Sequence, residues 1–311
     1  LGGDCIECTQ SWISHSPQFV RNARYGVAIV DFTVDNLNST NADDGIEVID
    51  SGRTLIEQNY ISFSGAGNIL DSDGVHIDNV HGENPSLGAV VVRWNTIQDH
   101  TDDGIEVLNS GATLIKQNYI STYYNNYSGA DKYGADGIHV RNVHRDFFVE
   151  GEKTEFSAFA FGSDYDDYAV EILRNVIWDA GDDGIEVLGS ENDDYNAYSY
   201  DCSECGYFSN TGRTLIQDNT VNNTGLADGY AILSFDGWYG DNGSHGITVE
   251  DIYGDYGYDG YSVEIVGNTV DNAENSGIRI ENIDTSLTSG NTVSNSGDHG
   301  FLSAAGWEYW S

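Results

Sequence analysis

Pairs of adjacent aspartates recur three times in this sequence, each time in the same setting. Each pair opens the sequence Asp-Asp-Gly-Ile-Glu-Val, and the pairs are Asp43-Asp44, Asp102-Asp103 and Asp182-Asp183. Two neighbouring carboxyl groups can hydrolyse a glycosidic bond, one as acid and one as base, and carboxylate oxygens also bind calcium. A catalytic site is unique in a chain, so a motif that occurs three times also fits a structural turn. In such a turn the aspartate bonds the backbone and the glycine adopts a positive φ.

The four cysteines form two Cys-x-x-Cys pairs, Cys5 with Cys8 and Cys202 with Cys205. Two such pairs can hold zinc or iron in a tetrahedral site, and a single pair can perform redox chemistry. The pairs are separated by 202 − 5 = 197 positions. In an extracellular chain disulfides are the favoured state, and we predict them at these cysteines, within a pair or between subunits.

The elements that position these residues belong to an internal repeat, which decides the architecture. An apolar residue, two polar residues, Asn, one variable residue and then Ile or Val recur along the chain. The asparagines of this pattern are Asn59, Asn95, Asn118, Asn175, Asn219, Asn268 and Asn291, and Phe32 takes the same place in the first copy. Each copy is followed by a short Gly-led strand in which apolar and polar residues alternate. Stacking such strands at about 4.8 Å would place the asparagines in an internal hydrogen-bonded ladder.

Because the Asn turn and the Asp-Gly-Ile turn recur in phase, the chain resembles a right-handed parallel β-helix of the pectin-lyase-like kind. The resemblance implies an all-β fold of about eight rungs over residues 26–306, after an N-terminal arm or cap at residues 1–25. Three insertions rich in Tyr, Phe, Asp and Gly interrupt the rungs at about 145–166, 190–211 and 234–245. An aromatic tail follows at residues 307–311.

A second resemblance concerns the polygalacturonase-type glycoside hydrolases, which carry Asn-Thr-Asp, Asp-Asp, His-Gly and Arg-Ile-Lys on successive rungs. The matching positions of this chain, in the same order, are Asp136-Gly137, Asp182-Asp183, His245-Gly246 and Arg279-Ile280. The resemblance implies five candidate catalytic residues, namely Asp136, Asp182, Asp183, His245 and Arg279. The chain departs from the family pattern at Ala135, where the family has a polar residue, and at Glu281, where it has a substrate-binding lysine.

Two pairs of histidines occupy equivalent places two repeats apart. His76 corresponds to His139, and His81 corresponds to His144. Equivalent residues two rungs apart would be separated by about 10 Å. That distance is too long for sharing one metal ion, so we predict ladder positions on the outer face of the rod.

The composition excludes several classes of partner. The chain has 51 acidic and 12 basic residues and a net charge of −39, which repels nucleic acid and anionic membrane surfaces. No apolar run approaches the ~20 residues of a membrane helix, so no membrane insertion is expected. The chain contains no methionine, so we expect a mature secreted protein from which a signal segment was removed, or a fragment. Acidity dispersed along the chain fits a solvated surface in an extracellular or salt-rich setting.

These features favour an extracellular structural protein that self-assembles into a cell-surface sheath, surface layer or filament, locked by disulfides between subunits. By type it resembles the disulfide-linked sheaths of filamentous archaea and bacteria. The open ends of a β-helix can pair with another copy, so the expected partner is the protein itself, with surface glycans as a further candidate. A secreted polysaccharide hydrolase or lyase and a non-catalytic glycan-binding β-helix are the alternatives. The structural hypothesis needs no cofactor, and calcium at the paired aspartates is the ion to consider.

Overall fold

The computed structural model describes residues 8–9, 18–21, 26–35, 44–62, 72–81, 89–121, 136–143, 168–189, 211–225, 244–252, 261–283 and 285–304. The elements in these ranges are strands joined by turns. No helix in the described ranges is long and apolar enough to cross a membrane. The predicted insertions and the tail at 307–311 lie outside the described residues, except for Thr211, Ser244 and His245.

The strands form three parallel sheets, which we name A, B and C. Sheet A contains β1 (Cys8–Thr9), β3 (Val27–Val30), β6 (Thr54–Glu57), β9 (Val90–Arg93), β12 (Thr113–Lys116), β15 (Val170–Leu173), β18 (Thr214–Gln217), β21 (Val263–Val266) and β24 (Ser286–Ser289). Sheet B contains β4 (Thr33–Asp35), β7 (Tyr60–Ser62), β10 (Thr96–Gln98), β13 (Tyr119–Ser121), β16 (Val176–Trp178), β19 (Thr220–Thr224), β22 (Thr269–Ala273) and β25 (Thr292–Ser294). Sheet C contains β2 (Gln18–Arg21), β5 (Ile46–Ile49), β8 (Val75–Asp78), β11 (Ile105–Leu108), β14 (Ile138–Arg141), β17 (Ile185–Leu188), β20 (Ile247–Glu250), β23 (Ile278–Glu281) and β26 (Phe301–Ala304).

The chain passes through sheets A, B and C in turn, and each circuit is one rung. Eight complete rungs run from β3 to β26 in the described residues, and we number them 1 to 8. Strands β1 and β2, from the predicted arm, pair with β3 and β5 and extend sheets A and C by one further strand each. Equivalent residues stack in register, as Ile105 does between Val75 and Ile138. The chain is a right-handed parallel β-helix, which confirms the predicted fold class.

Residues with positive φ form the corners of each rung. Asn or Asp occupies most of the described corners after sheets B and C, for example Asp179 with φ 59° and Asn142 with φ 54°. These side chains tolerate the left-handed conformation better than most, because they can bond the local backbone. The corner after sheet A also carries larger residues, including Trp94 with φ 57° and Arg174 with φ 57°. A left-handed residue turns the chain sharply, so strands of three or four residues can close a narrow rung.

The core consists of stacked aliphatic columns. The inward positions of sheets A and C carry mostly Ile and Val, and the middle residue of each sheet-B strand completes the cross-section. Ile56, Ile105 and Ile177, one from each sheet, are fully buried. β-branched side chains suit this arrangement because one rotamer fits every level of an in-register stack.

The glycine before each sheet-C strand of rungs 2 to 7 is required by close packing. A Cβ atom built on Gly137 would lie 2.5 Å from the carbonyl oxygen of Gly184 and would also overlap Ile177. Gly104 and Gly184, which belong to the Asp-Asp-Gly turns, are not among the glycines with positive φ. The expected positive φ at these turns is therefore wrong. Glycine is needed at these positions because a Cβ atom would collide with the backbone of the next rung.

Rung 8 differs from the other rungs at its inward positions. Three of them are polar, namely Ser286, Thr288 and Ser303. Their stacking partners in rung 7 are aliphatic, namely Val263, Ile265 and Ile280. A terminal repeat with polar inward residues is typical of a solubilising cap and provides a poor apolar surface for stacking.

Gly137→Ala should strongly destabilise the rod, because its methyl group would press on the backbone of rung 5. Overpacking of this kind costs roughly 1–3 kcal/mol or more. Gly300→Ala is the matched control, since its Cβ would meet nothing closer than 3.9 Å. Urea unfolding followed by circular dichroism measures both free energies of unfolding. Equal losses for the two variants would contradict the packing argument.

Candidate functional site

The seven predicted asparagines lie in one column, at the corner between sheets A and B. The side-chain Nδ2 of Asn95 donates to the carbonyl oxygen of Ile56 and to Asn118 Oδ1, each at 3.0 Å. Asn118 Oδ1 also accepts the backbone N–H of Asn95 at 3.0 Å. At the start of the column Phe32 contributes only its backbone N–H, which donates to Asn59 Oδ1 at 2.9 Å. This Asn ladder satisfies the buried polar groups of the corner, so its role is structural.

A second buried column precedes the strands of sheet C, and we call it the acidic column. Its members are Asp44, Asp73, Asp103, Asp136 and Asp183, on rungs 1 to 5. The Oδ1 atom of each of the first four accepts the backbone N–H of the next member at 2.7–2.8 Å. On rung 6 the backbone N–H of His245 donates to Asp183 Oδ1, and His245 Nδ1 accepts the N–H of Ser276 at 3.0 Å.

The paired aspartates therefore divide between two environments. Asp103 and Asp183, the second members of their pairs, are buried in the column, whereas Asp102 and Asp182 are half-buried beside it. Asp43 lies outside the described residues. The column also contains Asp73, which has no paired aspartate. The signal that could have revealed it is positional, because every member directly precedes the glycine of a sheet-C strand.

A partly exposed column, the Glu/His column, stacks next to the acidic column on sheet C. Its members alternate over five rungs as Glu47, His76, Glu106, His139 and Glu186. Rungs 6 and 7 break the alternation with Thr248 and Arg279. The sequence predicted outer ladder positions for His76 and His139, and both side chains are half-buried against the acidic column. His144 lies outside the described residues.

Each of these two histidines binds carboxylates from both columns. His76 Nδ1 lies 3.1 Å from Asp73 Oδ2 and 2.6 Å from Glu106 Oε2. His139 Nδ1 lies 3.1 Å from Asp103 Oδ2, and its Nε2 lies 3.6 Å from Glu186 Oε2. The imidazolium form of each ring is the partner that these carboxylates require.

Bonds to carboxylates raise the pKa values of both histidines, and burial raises the pKa of Asp136. Burial would lower the pKa of His139, but the hydrogen bond to Asp103 and the surrounding carboxylates raise it to about 9. Burial would also lower the pKa of His76, but the hydrogen bonds to Asp73 and Glu106 and the charges of these carboxylates raise it to about 11. Burial, followed by repulsion from neighbouring carboxylates, raises the pKa of Asp136 well above its ordinary value. Both histidines are therefore cationic at neutral pH, and Asp136 holds its proton far more strongly than an exposed aspartate.

The two columns together provide three groups of side chains that could hold a metal ion. In each group the ligand atoms lie within 4.8 Å of one another, and the groups are Asp44-Asp73-His76, Asp103-Glu106-His139 and Asp136-His139-Glu186. Each group joins two carboxylates with one imidazole. This donor set suits a transition metal better than calcium, which prefers oxygen ligands only. Calcium binding by the paired aspartates themselves stays a prediction.

The five residues implied by the polygalacturonase resemblance lie along one edge of the rod, on rungs 4 to 7. Asp136, Asp183 and His245 are buried in or directly after the acidic column. Asp182 is half-buried, and burial is the main cause that raises its pKa. Arg279 points outwards on rung 7, where Nη1 lies 3.0 Å from Glu250 Oε1 and Nη2 lies 3.0 Å from Glu281 Oε2. Glu281, which replaces the family's lysine, is thus an ion-pair partner of Arg279.

The cysteine predictions fall largely outside the described residues. Cys5, Cys202 and Cys205 are not described, and Cys8 is described only as part of the backbone of β1. Because β1 is the first strand of sheet A, Cys8 lies on an edge strand of the described rod.

Comparisons with known proteins concern the fold only. No family model and no curated protein matches the sequence. The structure of pectate lyase Pel9A is 14% identical with a TM-score of 0.43, and the match covers 97% of this chain and 63% of that one. The catalytic domain of a GH87 alpha-1,3-glucanase, in complex with nigerose, is 11% identical with a TM-score of 0.34, covering 91% of this chain and 51% of that one. PfbA, a surface adhesin of Streptococcus pneumoniae, is 11% identical with a TM-score of 0.24, and the match covers 88% of this chain and 70% of that one.

These similarities assign no activity to this chain. It spans about half to two thirds of the lyase and glucanase chains that it matches. All the identities are low, and every TM-score is below 0.5.

Asp136→Asn should stabilise the protein at pH 8, by about 1 kcal/mol, the usual size of a single-site effect. The amide keeps the oxygen that accepts the Asp183 N–H and removes a buried charge. Because the folded-state pKa of Asp136 lies above its ordinary 3.8, the native protein loses stability as the pH rises from about 4 through that raised pKa. The advantage of the variant should therefore shrink towards pH 4.

Asp103→Asn is the matched comparison, because Asp103 Oδ2 lies 3.1 Å from His139 Nδ1, whereas Asp136 Oδ2 lies 3.9 Å from it. Its amide would remove a charge that the imidazolium needs, so we expect destabilisation at pH 6. The difference in free energy of unfolding between the native protein and Asp103→Asn should fade as the pH rises through about 9, where His139 loses its proton. Urea unfolding at several pH values measures both variants. Destabilisation of the same size in both would contradict the assignment of charges.

Proposed function

We propose that this protein is an extracellular structural protein that self-assembles into a sheath, surface layer or filament. One observation carries the proposal: Asp136 and Asp183, the central candidates for catalysis, are equivalent members of a column repeated on five rungs. Each is buried, and each uses Oδ1 to bind the backbone of the next rung. Catalysis requires one site that differs from its neighbours, whereas a bond repeated on five successive rungs serves the rod.

The construction of the rod supports a mechanical role. The Asn ladder binds successive rungs at one corner, and the acidic column binds rungs 1 to 6 to one another at a second corner. In a repeat protein stability is approximately a sum of such nearest-neighbour contacts, so added rungs yield a long and stiff element. The net charge of −39 would keep its surface solvated in a salt-rich extracellular medium.

The assembly contact would rest on backbone pairing and on the cysteines. The polar inward positions of rung 8 provide little apolar surface for end-to-end stacking. Strand β1 is an edge strand of sheet A within the described residues, and edge strands readily accept a further strand from another copy. Cys8 lies on that strand, so a disulfide to Cys202 or Cys205 of another copy would make the contact covalent.

Electron microscopy of the native protein, with and without reductant, tests the assembly. We expect filaments, tubes or sheets that separate on reduction. Double substitution of Cys8 and Cys202 by Ser should give rods that are not linked by disulfides. Thr9→Ser, a change beside Cys8, should assemble like the native chain. Discrete single rods under both conditions would overturn the proposal.

A second candidate function is a polysaccharide-active enzyme, because the repetition of the acidic and Glu/His columns breaks on rungs 6 and 7. Burial raises the pKa of Glu250 to about 7, although the neighbouring Arg279 lowers it. The half-buried Asp182 lies on rung 5 of the same edge and also has a raised pKa. Carboxyl groups with raised pKa values are suited to general acid catalysis of glycosidic cleavage.

A panel of polysaccharides, assayed for new reducing ends and for unsaturated products, tests this second function. Asp182→Asn should lower any activity by about 100-fold or more, the usual contribution of a general acid or base. Asp102→Asn, the equivalent change on rung 3, should leave the activity intact. Inactivity of the native chain on the whole panel would remove this function, and equal losses in both variants would remove the assignment to rung 5.

A further inference from the structure

Three exposed aromatic side chains follow one another on rungs 2, 3 and 4, at the corner between sheets A and B. They are Tyr60, Trp94 and Tyr119, with exposed fractions of 43%, 43% and 41%, and we call them the aromatic strip. Tyr60 and Tyr119 occupy the same register position with Thr96 between them, so they lie about 10 Å apart along the rod. Trp94 precedes Thr96 by two residues and lies on the intermediate rung. The strip runs parallel to the axis of the rod.

Two of the three rings are fixed in orientation by side chains of a neighbouring rung. The indole Nε1 of Trp94 donates to Gln117 Oε1 at 3.0 Å, and the hydroxyl of Tyr60 donates to Gln98 Oε1 at 3.1 Å. The guanidinium carbon of Arg93 lies 4.5 Å from the centre of the Trp94 ring. Arg93 is itself held by Glu57, with Nη2 at 2.8 Å from Oε2. One face of the indole is thus covered, and the ring is oriented before any ligand binds.

The corner around the strip is locally basic in a strongly acidic chain. The outward positions on rungs 3 to 5 include Arg93, Lys116 and Arg174, and none of the described outward residues of this corner on these rungs is acidic. Carboxylates of the same corner on other rungs belong to Asp31 on rung 1, Glu57 on rung 2 and Asp218 on rung 6. Asp218 Oδ2 is 3.7 Å from Arg174 Nε, and both side chains are largely exposed. Arg93 is paired with Glu57, so Lys116 and the largely exposed Arg174 are the basic groups of this corner that can contact an anion.

We propose that the aromatic strip binds an acidic polysaccharide chain lying along the rod. The apolar face of a sugar ring packs on an open aromatic face, and rings oriented in advance lower the entropy cost of binding. Rings repeated along a line match a linear polymer better than a single small molecule. Lys116 and Arg174 supply the charges for carboxylate or sulfate groups of the chain.

The surroundings of the strip favour a glycan over a protein. A stable protein interface covers about 800 Å² on each partner around an apolar core. The strip is narrow and is bordered by polar side chains, including Thr96, Gln98 and Gln117. Such side chains can donate and accept hydrogen bonds with the hydroxyl groups of a sugar.

This surface is separate from the columns that precede and line sheet C. The inference does not depend on the proposed assembly, because every residue that it uses lies within one chain. A sheath subunit with such a strip would attach to acidic glycans of the cell surface, and a single rod would bind them equally well.

Binding of the full chain to three polymers tests the proposal, with alginate carrying carboxylates, dextran sulfate carrying sulfates and dextran carrying no charge. The measurement is affinity electrophoresis under reducing conditions, so that assembly does not affect the result. We expect retention by alginate, by dextran sulfate or by both, and much weaker retention by dextran. The stronger of the two acidic polymers would identify the anionic group that the strip prefers.

Trp94→Ala should weaken the binding of the acidic polymers at least about fivefold, as expected for a central aromatic anchor. Combined Lys116→Gln and Arg174→Gln should also weaken it and reduce its dependence on salt. Tyr261→Ala is the matched control, since Tyr261 is 44% exposed but lies on rung 7, away from the strip. Circular dichroism verifies that each variant folds. No binding by the native chain, equal binding of dextran, or unchanged binding by Trp94→Ala would each overturn the proposal.

Discussion

The whole structure depends on one requirement, that backbone N–H and C=O groups at the buried corners find partners within the stack. Strand pairing satisfies the straight segments, but the chain turns sharply three times on each rung. At the corner between sheets A and B, a column of Asn side chains such as Asn95 and Asn118 bonds both neighbouring rungs. Before sheet C, the Oδ1 atoms of aspartates such as Asp136 accept N–H groups in the same way. Both columns need equivalent residues in register, so they also fix the rise from one rung to the next.

The aspartates solve the hydrogen-bonding problem but create an electrostatic one. An asparagine column is neutral, whereas stacked and buried carboxylates repel one another and lose their hydration. The structure compensates with the histidines of the next column, since His139 lies against Asp103 and His76 against Asp73. The remaining charge is reduced by raised pKa values in the buried aspartates. The acidic column thus holds protons because the turns of rungs 1 to 5 use carboxylates as hydrogen-bond acceptors.

This origin of the acidic groups affects how the candidate catalytic residues are interpreted. A cluster of perturbed carboxyl groups on a β-helix would normally indicate an active site. Here the perturbation follows from a repeated structural position, and Asp183 is perturbed for the same reason as Asp136. The residues that depart from the repeat are more informative about function. They are Thr248 and Arg279 on sheet C, and the exposed aromatic strip at another corner.

The sequence by itself determined the repeat, the parallel β-helix and the register of the asparagines, because one residue type at a fixed place in each copy has one stacked solution. It did not determine the environment of each acidic residue. Adjacent aspartates such as Asp182 and Asp183 look equivalent in the sequence, and only the turn geometry buries the second. The tertiary structure also decided why glycine precedes sheet C, since the obstacle at Gly137 is the backbone of another rung. The contacts of His139 with Asp103 and of Gly137 with Gly184 join residues about 35 to 50 positions apart, and no local pattern records them.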